Sequence, residues 1–186
     1  MSEQIKIAII SASVRVGRKS HRVAVYLKKI IEENNTASVE MLDLMEYNFP
    51  VFEERLKYQK APKEKTLDFV KKFNEADGII IVTPEYNGGY PAALKNVIDL
   101  FMDEWKHKPV GLSTVSGGQF GGVQSTTSLE FNLWKLRAFV STIPFPVPNI
   151  DKTFDENNIP VFKEETEKRA HTFIKELLWC IERSKS

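Results

Sequence analysis

Residues 83–100 read TPEYNGGYPAALKNVIDL and follow directly on an apolar run at 78–82, GIIIV. That run is short, branched and free of charge, the pattern of a strand buried on both faces. Pro84 comes next, then a tight turn at Asn87, Gly88 and Gly89. Pro91 then opens a segment with Leu94, Val97, Ile98 and Phe101 at helical spacing. A strand that ends in a flat loop and restarts as a helix leaves backbone N–H and C=O groups along a shallow ledge. Such a ledge suits the edge of a flat heteroaromatic ring that carries both donors and acceptors.

Outward from this stretch, strands and helices alternate. Toward the N-terminus, IKIAII at 5–10 predicts a first strand, buried on both faces. A loop, SASVRVGRKSH at 11–21, leads into a helix over 20–34 with Val23, Leu27, Ile30 and Ile31 on one face. A brief strand is predicted at 38–42. Residues 43–62 read as an ordered loop with a helical turn, its Tyr47, Phe49 and Phe52 tucked under the edge of the fold. A helix follows at 63–75 with Leu67, Val70 and Phe73 inward.

Toward the C-terminus, the helix that starts at Pro91 extends to about Glu104, and Phe101, Met102 and Trp105 give it more apolar surface than one sheet face needs. A strand at 110–115, a loop SGGQFGG at 116–122, a helix at 123–137 and a short strand at 140–142 come next. Residues 143–160 carry four prolines and read as extended and irregular; a helix over 163–183 has Ala170, Phe173, Ile174, Leu177, Leu178 and Ile181 at helical spacing. The alternation predicts an α/β protein, a parallel sheet with helices on both faces. Right-handed crossovers and five strands favour the order 2-1-3-4-5, with the reversal between the first and third strands. The 186 residues suggest a single domain over 1–186.

Composition excludes several classes. A net charge of +1 argues against nucleic acid or a membrane surface as partner. The single cysteine, Cys180, permits no internal disulfide and reads as a small core residue in a helix. His21, His107 and His171 lack ligand spacing, so no metal site is expected. Neither a signal peptide nor a membrane span is expected, and the cytoplasm is the default compartment.

Open parallel sheets bind ligands beyond the carboxyl ends of the strands, where the strand order reverses. The three unusual loops follow the first, third and fourth strands. The first offers Ser11, Ser13, Arg15, Gly17, Arg18, Lys19 and Ser20 ahead of a helix N-terminus, a set that favours an anion. By itself this set is matched by a plain helix cap with solvated basic neighbours; its place after the first strand favours phosphate. No G-x-G-x-x-G or Walker A pattern is present, so a single terminal phosphate fits better than a pyrophosphate. In the second loop Glu85 and Asn87 could form a catalytic pair, but a solvated carboxylate and a turn residue are the favoured readings, with Tyr86 packing nearby. The third loop holds four of the nine glycines, Gly117, Gly118, Gly121 and Gly122, and lets backbone approach a flat ligand.

Taken together, SASVR followed by serine, the PEYN…P…LKN…ID run and the double-glycine loop resemble the NAD(P)H-dependent FMN reductase family, a flavodoxin-like group that includes quinone, azo-dye and chromate reductases. The resemblance runs from about Lys6 to the last helix and implies a flavodoxin-like three-layer sandwich. It implies that Ser13, Arg15 and Ser20 hold the FMN phosphate with His21 near. Pro84, Glu85, Tyr86 and Asn87 would line the isoalloxazine, and Ser116, Gly117 and Gly118, with Gly121 beside them, would approach its pyrimidine side. The implied activity is hydride transfer from NADH or NADPH through FMN to a quinone, flavin or similar small acceptor, with no dedicated catalytic residue. The family also implies a homodimer or homotetramer, paired through the region after the PEYN loop. A flavodoxin-type carrier that binds FMN without NAD(P)H turnover is the alternative, and the near-neutral charge and Arg15 weigh against it. Ala12 departs from the glycine common in the family, and the insert at 16–19 is longer than usual.

Overall fold

The apolar runs at 5–10 and 78–82 lie side by side at the centre of one parallel sheet. The structure, a computed structural model, describes residues 4–185. The chain runs β1 (Lys6–Ser11), α1 (Ser20–Glu33), β2 (Ser38–Asp43), α2 (Leu44–Tyr47), α3 (Glu64–Glu75), β3 (Gly78–Pro84), α4 (Ala92–Leu100), β4 (Pro109–Val115), α5 (Val123–Lys135), β5 (Phe139–Val140), α6 (Ile150–Thr153) and α7 (Lys163–Ser184). The sheet order is β2-β1-β3-β4-β5, as the crossover argument predicts. Ile9 of β1 pairs in register with Met41 of β2 and with Ile80 of β3.

Alternation along the strands separates two apolar layers. Ile7, Ile9, Ile80 and Val82 face α1 and α7, where they meet Val23, Leu27, Ile31, Phe173 and Leu177. Ala8, Ile10, Ile79 and Ile81 face α3, α4 and α5, with Phe69, Phe73, Leu94, Val97, Leu129 and Leu133. The central strands are therefore covered on both faces, which is why their sequence is apolar throughout and not alternating.

Several predicted details change. In α3 it is Phe69, with Val70 and Phe73, that turns inward; Leu67 is 49% exposed. The helix predicted to reach Glu104 ends at Leu100, and a 3₁₀ turn at Asp103–Trp105 follows. That turn folds Trp105 back against Phe73, ring centroids 4.7 Å apart, and against Phe101 at 5.8 Å. Phe101 and Trp105 are thereby buried, and of the three residues expected to give spare apolar surface only Met102 stays partly exposed. Within the 43–62 loop, Tyr47 and Phe49 pack on Phe69, whereas Phe52 stays partly exposed. Asn96 of α4 holds this loop at both ends of its amide: Nδ2 donates to Pro50 O at 2.8 Å and Oδ1 accepts from Phe52 N–H at 3.2 Å.

β5 is shorter and earlier than predicted, and the proline-rich segment behind it is more regular. It runs alongside β4. Phe145 N–H donates to Leu112 O at 2.9 Å and Val147 N–H to Thr114 O at 2.7 Å. Pro144, Pro146 and Pro148 occupy the alternate positions. A strand edge needs donors only at every second residue, so prolines between them cost it nothing.

Candidate functional site

β1 hands the chain to α1 on one face of the sheet, and β3 hands it to α4 on the other. Two adjacent strands whose exits diverge leave a crevice at their carboxyl ends. A cavity of about 290 Å³ opens there. The loop after β1 lines it with Ser13, Arg15, Gly17, Arg18, Lys19 and Ser20; the loop after β3 adds Pro84, Glu85 and Tyr86; the end of β4 adds Val115, Ser116 and Gly117. A larger groove, about 390 Å³, lies under residues 49–63 against α4. It is away from the strand ends and bordered mostly by exposed loop, so it lacks the convergent polar groups that mark a built site.

The β1–α1 side is suited to an anion. α1 begins at Ser20 with no side-chain cap; Arg22 N–H donates to Lys19 O at 3.0 Å, and the N–H groups of Ser20 and His21 remain available. Ser20 is buried, and its hydroxyl has no hydrogen-bond partner among the described residues. A buried hydroxyl without a partner is uncommon, and a ligand oxygen would satisfy it. Arg15 makes no side-chain hydrogen bond or ion pair with any described residue, which leaves its guanidinium fork free. Ser13 Oγ contacts Tyr86 Oη at 2.9 Å and accepts from Arg15 N–H at 3.4 Å. The Ser13–Tyr86 contact joins the first loop to the second.

Arg18 has a different task. Its guanidinium grips both carboxylate oxygens of Asp43 at the end of β2, and Nη1 also donates to Ser13 O at 2.8 Å. Burial pushes the Asp43 carboxyl up, but the Arg18 fork and the Met45 N–H outweigh it, and the net shift is down. His21 stands behind the loop: Nδ1 lies 3.0 Å from Ser11 Oγ and 3.6 Å from Asp43 Oδ2. Burial and the Arg18 charge lower its pKa, against the pull of Asp43 and Glu46. Arg18, His21 and Asp43 thus form a base beneath the anion loop.

The β3–α4 loop closes on itself. Tyr86 N–H donates to Gly89 O at 2.7 Å and Gly89 N–H to Tyr86 O at 3.1 Å. Asn87 and Gly88, between them, have φ of +52° and +77°. That pair is what a type I′ turn needs, and Asn-Gly is its favoured sequence. The turn holds the 83–86 backbone flat at the cavity wall. Glu85 is not simply solvated, as the sequence reading has it: its Oε2 accepts from Gln124 N–H and Ser125 N–H at the start of α5.

Of the residues singled out in the sequence, Ser13, Arg15, Ser20, Pro84, Glu85, Tyr86, Ser116 and Gly117 line one cavity. His21, Asn87, Gly118 and Gly121 do not line it. Asn87 is at the exposed turn tip, and Gly118 O accepts from Ser116 Oγ and Asn149 N–H, both at 2.9 Å. At Gly121 a Cβ would lie 3.0 Å from Pro146 Cβ, so the glycine serves close backbone packing. Ile150 and Asp151 of α6 also line the cavity, and Lys19 reaches Asp151 at 2.6 Å. Sequence reading misses them because they arrive through the 143–149 segment pairing with β4, which no local pattern announces. Among the described residues there is no cluster of histidine, cysteine or carboxylate side chains that could hold a metal.

A monophosphate on the α1 side and a planar ring along the 83–86 and 116–117 backbones fit this arrangement. Comparison with known proteins points the same way. The family model for NADPH-dependent FMN reductase matches residues 5–150. The NAD(P)H-dependent FMN reductase of Saccharomyces cerevisiae is 33% identical over 165 residues, covering 76% of this chain and 85% of that protein. The FMN-dependent NADPH-azoreductase of Staphylococcus saprophyticus is 29% identical over 185 residues, 95% of each chain. Among solved structures, the flavoenzyme NAD(P)H:(acceptor) oxidoreductase of Paracoccus denitrificans superposes with a TM-score of 0.80 at 22% identity, over 97% of this chain and 98% of that one, a likeness of fold. Sequence motif, strand order, cavity position and a family match over residues 5–150 agree, and the chain belongs to the NADPH-dependent FMN reductase family.

Proposed function

We propose that this protein is an FMN-dependent oxidoreductase that carries hydride from NAD(P)H to a quinone, free flavin or similar small acceptor. The observation that carries the reading is one cavity at the sheet reversal, where a candidate anion site meets the backbone of the loops after β3 and β4. The buried Ser20 hydroxyl without a partner, the free Arg15 fork and the uncapped α1 supply that anion site.

When bound, FMN supplies a two-electron carrier that takes hydride from the nicotinamide and gives electrons to the acceptor. The chain's own residues bind and orient it. Ser13, Arg15 and Ser20 hold the phosphate, with His21 setting the base of that loop through Ser11 and Asp43. Pro84, Glu85 and Tyr86 form the ring-side wall, with Asn87 shaping the turn beyond it, and Ser116 and Gly117 the wall opposite, with Gly118 holding that loop and Gly121 packing behind. The N–H groups of Glu85, Tyr86 and Ser116 already donate to Val115 O, Gly89 O and Val147 O, so the Gly117 N–H is the wall donor that would remain for negative charge on the ring. No side chain is assigned as acid, base or nucleophile.

We read the protein as one functional unit over 1–186, acting in the cytoplasm on small molecules, without nucleic acid or membrane partners. The near-zero net charge supports the exclusion of nucleic acid, and among the described residues no helix is long and apolar enough to cross a membrane. Assembly is read as a homodimer or homotetramer. What supports it lies on α5, where Val123, Phe131 and Trp134 are 54%, 62% and 68% exposed along one face, with Phe120 just before it.

The test is direct. Mass spectrometry of ligand released by heat should give FMN, and protein loaded with FMN should oxidise NADH or NADPH when a quinone is supplied. Loaded protein that is inactive with both nicotinamides and with every acceptor offered rejects the enzyme reading.

A further inference from the structure

Glu85 stands at the cavity, yet its carboxylate is engaged elsewhere. A single oxygen, Oε2, accepts from Gln124 N–H at 3.1 Å and from Ser125 N–H at 3.3 Å. These belong to the first turn of α5, whose leading N–H groups have no partner within the helix. α5 has no cap of its own. The residue before it, Gly122, has no side chain to offer and sits at φ +83°. Gly122 is also held tightly: a Cβ there would lie 3.0 Å from Thr114 Cβ and 3.5 Å from Glu85 Cβ. Glu85 is anchored separately through its backbone, whose N–H donates to Val115 O at 3.1 Å. Gln124 packs in return against the second loop, where a Cβ on Gly88 would meet its Oε1 at 2.7 Å.

The glutamate therefore caps a helix that is not its own, and in doing so ties the loop after β3 to the loop after β4. These are the two walls assigned above to the flavin ring. We infer that Glu85 is a positioning residue for the ring pocket: its carboxylate oxygen sets the separation of the two walls, and reach, not charge, is what it contributes. This rests on the FMN reading of the cavity.

Because both hydrogen bonds converge on one oxygen, the amide oxygen of glutamine can replace it. Aspartate keeps the charge but is one methylene too short to span the loops. The two conservative variants thus separate reach from charge, and alanine removes both.

Flavin-free wild type, Glu85→Gln, Glu85→Asp and Glu85→Ala are titrated with FMN and with riboflavin, following quenching of flavin fluorescence. Glu85→Gln should bind both flavins within about twofold of wild type. Glu85→Asp and Glu85→Ala should bind both about fivefold to tenfold more weakly, the scale of a lost helix cap. The factor should be the same for FMN and riboflavin, because the ring walls and not the phosphate loop have moved. Glu85→Asp matching wild type while Glu85→Gln fails would overturn the inference in favour of a charge effect. So would wild-type affinity in Glu85→Ala, or a loss confined to FMN. If alanine prevents folding, the glutamine and aspartate pair decides alone. Wild type that binds no FMN removes the cofactor reading itself, a result visible before any variant is compared.

Discussion

Ser20 shows how a single side chain can be informative because something is missing from it. The sequence places a hydroxyl at the head of a helix, where its ordinary use is as a cap; in the structure Ser20 begins α1, and its buried Oγ has no partner among the described residues. An unsatisfied buried hydroxyl contributes nothing to the flavin-free fold, and a hydrogen bond to a charged ligand is worth about 1.5–3 kcal/mol. Ser20→Ala should therefore melt no lower than wild type without flavin, yet bind FMN at least about tenfold more weakly. Differential scanning with and without FMN reads both; a lowered melting temperature in the flavin-free variant would make the hydroxyl structural. Ser13, Arg15 and Ser20 were legible in the sequence because hydroxyls and a cation crowd one short loop ahead of a helix. Asp43 was not, since its partnership with Arg18 joins the end of β2 to the loop after β1, which only the sheet brings together.

Among the elements, α5 carries apolar residues on its outer face as well as on the face toward the sheet. Ser125, Leu129 and Leu133 turn inward, while Phe131 and Trp134 lie on the outside with ring centroids 6.0 Å apart. Sequence reading looked for a spare apolar face one helix earlier, around Phe101 and Trp105. A 3₁₀ turn carries those rings into the core, and helical periodicity cannot register a turn that begins after the helix ends. If a second copy covers the outer face of α5, truncating or charging an aromatic at its centre should cost the interface about 2 kcal/mol or more, near thirtyfold in dissociation constant. Phe131→Arg should then shift the mass from light scattering toward the monomer with the far-ultraviolet circular dichroism unchanged, because a change at an exposed position leaves the fold within about 0.5 kcal/mol. A variant with wild-type mass would take α5 out of the interface.

On the scale of the whole molecule, tyrosines on both faces of the sheet make the fold sensitive to alkali. Burial, and a lesser push from Glu167, raises Tyr26 to about 12; burial and a hydrogen bond to Asp68 do the same for Tyr47, against Lys72; burial and Asp99 do so for Tyr90. Each holds its proton more tightly folded than unfolded. Their contribution is complete below the unfolded value of 10.0 and is lost as pH rises toward about 12. Urea midpoints should fall across that window. Tyr26 Oη is buried without a partner among the described residues, so Tyr26→Phe should be as stable as wild type at neutral pH and lose less in alkali. Equal losses in the two proteins would show that Tyr26 titrates freely when folded.

The sequence by itself determined the strand order and the place of the crevice. Branched runs such as those at 5–10 and 78–82 admit burial on both faces only, and right-handed crossovers then leave few ways to connect them. It also determined the turn at Asn87-Gly88 and the hydroxyl- and arginine-bearing loop after β1, since each is written in a few consecutive residues. Only the tertiary structure decided that Glu85 caps α5, that Arg18 turns to Asp43 and leaves Arg15 free, and that Asp151 joins the rim. Those are contacts between segments far apart along the chain. Their distances follow from how helices settle on the sheet, a sum over the whole core that no local periodicity contains.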